Sequence, residues 1–247
     1  MRVFFIAIVG IVLALAAGAA FLPMSMAADL ASSRFPDFKF QQASGSVWDG
    51  KLTQVAYGSQ FIGDLDVKTE LLPLLGGRAS GKLGLKREGF SGTADVAFGL
   101  GGDGLEMKNV KVEGNTALVP GMPSALARSD GKFSLDVKEI KFVDSLCESA
   151  TGEVWTDALT KVSIKGWVGP ELRGPVTCEG GHMQAQAGGT AVTGEDVLAI
   201  LSISQHLDME LTATISNVTP GAAKALADIG FVPEGDKLVL KQAVGGR

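Results

Sequence analysis

At 247 residues with a net charge of −5 and a pI near 5.1, the chain is too acidic to carry a nucleic-acid footprint. No Lys/Arg cluster marks a lipid-headgroup patch, and two histidines and two cysteines leave little material for metal or covalent chemistry. Thirty-three glycines point instead to a chain that bends often and packs backbone against backbone.

Val3 to Leu22 is an unbroken run of apolar and small residues behind a single cation, Arg2. At about 1.5 Å per residue such a run covers the roughly 30 Å of a bilayer core. Ser25-Met26-Ala27 would suit a signal-peptide cleavage site, but an h-region usually spans only about 7–15 residues. An uncleaved transmembrane helix over residues 1–24 is therefore expected. The next cation is Arg34, so the positive-inside rule puts the N-terminus in the cytoplasm and the rest of the chain outside it.

The remaining residues, 25–247, are expected to form one large β-rich domain. Leu65, Val67, Thr69 and Leu71 alternate with Asp64, Asp66, Lys68 and Glu70, and Leu207 to Ile215 repeats the pattern. Period-two alternation makes half-buried strands of an antiparallel sheet. Leu105 and Met107 alternate, then Val110 and Val112 resume one step late; Phe133–Val137 and Ile140–Phe142 do the same. One inserted residue restores the apolar face, so these strands should carry β-bulges. Helices are few. Pro220 to Ile229 is the best candidate, with Thr219 as its cap and Gly230 as its stop. Gly194 to Ser202 fits a short helix or a strand, and Gly121 to Ser129 a loop or single turn.

One phrase occurs twice. Gly45-Ser46-Val47-Trp48-Asp49-Gly50 begins a stretch that shares Gly, Val, Trp, Leu, Thr and Val in register with Gly152-Glu153-Val154-Trp155 and its sequel. The expectation is two related β units, with halves at about 40–120 and 131–245 joined near 114–131, in one curved, open or half-barrel-like sheet. Equivalent core positions are expected for Trp48 and Trp155, although exposed tryptophans could also serve as interface anchors. Cys147 and Cys178 read as a disulfide worth roughly 3.7 kcal/mol of loop entropy; a metal site with His182 is the other reading.

Gly99 to Gly104 matches G-x-G-x-x-G, but a strand pattern follows where a dinucleotide site needs a helix. His206 opens a strand, and Asn217-Val218-Thr219 reads as a strand end and helix cap. With no nucleophile elbow, Walker loop or metalloprotease motif, no catalytic residue, metal or cofactor is expected.

The first phrase after an apolar span, Leu71-Leu72-Pro73-Leu74-Leu75-Gly76-Gly77, Cys147 to Trp155, Leu172 to Gly181 and Gly230-Phe231 come in an order that resembles the type II secretion system protein N family. Trp167-Val168-Gly169-Pro170 departs from it where more strand would be expected. The resemblance implies an accessory structural or assembly component of that export machine, single-pass in the inner membrane, with its main domain periplasmic. Its partners would be the secretin or the inner-membrane platform. The alternative is a membrane-tethered lipid-binding or lipid-transfer protein whose apolar sheet face forms a trough.

Overall fold

A computed structural model describes residues 22–34, 36–58, 60–70, 73, 76–99, 104–119, 124–204 and 209–244. It is mainly β and antiparallel, and it divides into two compact units at Arg87/Glu88, not near 114–131. The expected span over residues 1–24 lies almost wholly outside the described residues; among these, no helix is long and apolar enough to cross a membrane.

The first unit holds α1 (Met24–Arg34), β1 (Phe38–Lys39), β2 (Gln42–Gly45), β3 (Asp49–Tyr57), β4 (Gln60–Glu70) and β5 (Arg78–Arg87). Strand order is β1-β3-β4-β5, with β2 continuing the β1 edge along β3. Helix α1 was not foreseen. Its Met24 and Ala28 are buried with Leu52 and Val55, and Phe38, Phe40, Ile62, Leu65 and Val67 pack around them. A bulge separates the pairs Leu52↔Leu65 and Val55↔Gly63, with Gln54 at φ 51°. The Gln54 amide turns to Asp64 Oδ1 at 3.1 Å, and Lys51 Nζ reaches the other oxygen at 3.2 Å. The backbone donor first, and the lysine next, hold the Asp64 carboxyl below its ordinary value.

The second unit holds β6 (Phe90–Gly99), β7 (Leu105–Asn115), α2 (Ser124–Ala127), β8 (Lys132–Val143), β9 (Leu146–Thr156), β10 (Ser163–Ile164), β11 (Trp167–Val168), β12 (Leu172–Glu179), β13 (His182–Thr190), β14 (Asp196–Ile203), β15 (Met209–Ser216), α3 (Pro220–Ala227), β16 (Val232–Glu234) and β17 (Lys237–Val244). Its sheet runs β6-β7-β8-β9-β12-β13-β14-β15-β17-β16 and is not closed; β10 and β11 form a separate hairpin. The predicted bulges are present. Register slips between Thr93 and Asp95 against β7, where Asn109 stands at φ 51°, and between Val137 and Glu139 against β9.

Those bulges bend the sheet. Val110 on β7, Val137, Ile140 and Phe142 on β8, and Met183 and Ala185 on β13 belong to one buried cluster, although β7 and β13 are not neighbours. A second cluster sets Ala222, Ala225 and Leu226 of α3 against Val197, Ile215 and Leu238. Leu226 and Ile215 are fully buried, each worth about 1.5–3 kcal/mol relative to exposure. Helix α3 begins as its sequence predicts but ends at Ala227, two residues short of Ile229, with a turn over 228–230. Thr219 accepts from the Ala222 amide at 3.3 Å, Pro220 fills the first turn, and Gly230 at φ 98° lets the chain leave. Gly194 to Ser202 resolves into a turn and β14.

Candidate functional site

The first tryptophan phrase is a tight turn, not a strand. Gly45 ends β2 at φ 83°, a conformation other residues avoid, and Val47 and Trp48 form the half-buried bend before β3. Val47 N–H donates to the Leu22 carbonyl at 3.0 Å, and Pro23 bridges to Ser46. Gly50 is buried beneath α1: a Cβ there would lie 2.7 Å from Met24 Cγ. The phrase thus fastens the start of α1 to the sheet.

The second phrase does other work. Gly152, Val154 and Trp155 lie on β9, paired with both β8 and β12, and the chain then enters a 3₁₀ turn over Ala158–Lys161. A Cβ on Gly152 would meet the Asp136 carbonyl at 2.6 Å, so glycine here permits close strand approach. Trp155 is half-buried, with Nε1 donating to Glu171 Oε2 at 3.3 Å. The expected equivalence of the two phrases fails. Shared residues serve a turn in one case and a strand in the other, because their neighbours differ.

Cys147 and Cys178 are joined, with Cα atoms 5.5 Å apart and a sequence separation of 31. The bond pins β9 near β12 and closes the excursion that contains the β10–β11 hairpin. His182 is exposed on β13 opposite Glu179, and among the described residues no group of three His, Cys, Asp or Glu side chains could hold a metal.

The departure at Trp167 marks a buried hydrogen-bonded site. Trp167 is the deeply buried tryptophan, and its Nε1 donates to Glu195 Oε2 at 3.3 Å. Glu195 is fully buried. Thr193 donates to its Oε2, and Thr219 donates to its Oε1 at 2.6 Å. Burial pushes the Glu195 carboxyl up, but the hydrogen bonds from Thr193, Thr219, its own amide and Trp167 outweigh that and hold it below its ordinary value. The carboxylate therefore clasps β11, the turn before β14 and the start of α3.

A family model for the type II secretion system protein N matches residues 36–234. The chain belongs to the type II secretion system protein N family. No curated protein and no solved structure matches it. The matched stretch takes in both tryptophan phrases, both cysteines, the Glu195 clasp and Gly230-Phe231, and leaves the apolar N-terminal segment outside.

In this family member a sheet edge is open. The turn Gly235-Asp236 sets Glu234 opposite Lys237, and β16 extends only to Val232↔Val239. In a two-residue hairpin the flanking pair exchanges hydrogen bonds, and the direction alternates along the strand. The amides and carbonyls of Lys241 and Ala243 therefore face outward, past the end of β16. Among the described residues no strand pairs with that stretch. Pro233 and the shortness of β16 guard one end of the edge, as edge strands commonly require. His206, Leu207 and Gly99-to-Gly104 apart from its end residues lie outside the described residues.

Proposed function

We propose that the chain is an accessory assembly component of the type II secretion system. It is tethered to the inner membrane by residues 3–22, with its β-rich part in the periplasm. It works by binding and not by catalysis. The family match supports the system, and the open outer edge of β17 is the observation that carries the mode of action. Two outward residues on an edge already seeded by β16 accept a partner strand without rearrangement. Lys241 is held by Glu234 of β16 at 3.2 Å, so main-chain pairing, not charge, would carry the contact. Carboxylates such as Asp136 sit on wet strand faces beside lysines, Lys111 at 3.5 Å, and the buried Glu195 is taken up by Thr193, Thr219 and Trp167; neither arrangement sets a base against a nucleophile.

The test is a photo-crosslinker at Lys241 in intact envelopes, paired with Ala243→Pro, which removes an outward amide from an edge strand that tolerates proline. Recovery of secretin or inner-membrane platform protein, lost in the Ala243→Pro chain together with release of secreted protein, is the expected result. Recovery of lipid and no secretion protein would move the reading to the lipid carrier.

A further inference from the structure

Helix α1 presents two faces. Met24 and Ala28 are buried on the sheet, while Leu22, Met26 and Leu30, spaced four apart, are 38, 59 and 63 % exposed. Residues four apart share one side of a helix, so Met26 and Leu30 form an apolar stripe turned away from Met24 and Ala28, and Leu22, exposed just before the helix, leads into it. Such a stripe needs an occupant, and the chain supplies the argument for one. The apolar run that begins at Val3 ends at Leu22, which leads into the stripe, with no charge between them. The half-buried Trp48 lies in the bend whose Val47 amide holds the Leu22 carbonyl. An aromatic belt at the water interface uses tryptophan in this setting.

We infer that α1 lies along the membrane surface, with Leu22, Met26 and Leu30 in the headgroup–acyl boundary and Trp48 beside them, seating the first unit on the bilayer. The inference rests on the membrane tether proposed above. Interfacial helices of this kind bury their apolar side about 5–10 Å into the boundary. Before Arg34 the helix carries no lysine or arginine and one exposed acid, Asp29, so anionic lipid does not draw it in and apolar burial sets the depth.

Thiol-reactive bimane on Met26→Cys, Leu30→Cys or Ser44→Cys in the full chain, with the native disulfide intact, tests this. The bilayers are phosphatidylethanolamine and phosphatidylglycerol, with or without brominated acyl chains. Ser44 is the control. It pairs with Lys51, and the neighbouring Gly50 faces Met24, so Ser44 points to the other side of the sheet. Bromine quenching at positions 26 and 30 several-fold above that at 44 is the expected result. Equal, weak quenching at all three, in a chain that resists alkaline carbonate extraction, overturns the seat and leaves the tether standing. Positions 26 and 30 shielded from water but unquenched would mean a protein covers the stripe, which also overturns it. Release by carbonate removes the tether and the seat together.

Discussion

The unit ending at Arg87 draws its buried core from Met24, Ala28, Leu52 and Val55, half of them from a helix that precedes its first strand. The unit beginning at Glu88 has two buried clusters, a disulfide and a carboxylate clasp, all from its own residues. Identical sheet chemistry thus ends in different dependence. The first unit is completed by the segment that follows the apolar run, whereas the second is completed by cross-links within itself. A change in α1 should loosen the first unit, and a change near Trp167 or Cys147 the second.

The largest break is expected from Trp167→Ala, which empties a core site and removes one donor from Glu195. A loss of about 3–5 kcal/mol, read by denaturant unfolding, fits a buried aromatic. The same change at Trp48 or Trp155, each half-buried, should cost clearly less; equal losses at all three would restore the idea of equivalent core tryptophans. Cys147→Ser should cost about 2–4 kcal/mol, with hydrogen exchange rising in β9 and β12 and unchanged in β3 and β4. Met24→Ala should reverse that pattern, at about 2 kcal/mol, the low end for a buried methionine because little surrounds it. Exchange rising in β12 instead would contradict the division of labour. Thr219→Ala removes both a helix cap and a donor to Glu195, for about 1 kcal/mol.

The smallest effect is in pH. The Glu195 carboxyl is held below its ordinary value of 4.5, so its contribution to stability is complete above that pH and is lost as pH falls through the lower folded value. Glu195→Gln should flatten the acid limb of the stability curve of the second unit. An unchanged acid limb would show that another carboxylate sets it.

Strand alternation, the slips after Met107 and Val137, and the Thr219-Pro220…Gly230 frame of α3 were all legible, because each is written in neighbouring residues. The disulfide followed from the cysteine count and the expected compartment, with metal ligation as its rival. Helix α1 was not legible. Met24 to Arg34 has only a weak polar-apolar division, and the glycine that makes room for Met24 lies at position 50. Nor was the clasp, whose carboxylate draws Trp167 and Thr219 from 28 and 24 residues away. The repeated phrase misled for the same reason. Gly45 and Gly152 match as letters, but one needs a positive φ and the other an absent side chain.

The Cys147–Cys178 bond also makes the protein its own compass. Thiols stay reduced in the cytosol and pair in oxidising compartments, so, on the membrane tether proposed above, a chain inserted backwards would keep both cysteines free and migrate differently on a non-reducing gel. Orientation in the cell can therefore be scored molecule by molecule without any fusion or tag. It also follows that a misinserted copy would lack a pinning bond in its second unit, leaving it easier for proteases to clear than its correctly placed sibling.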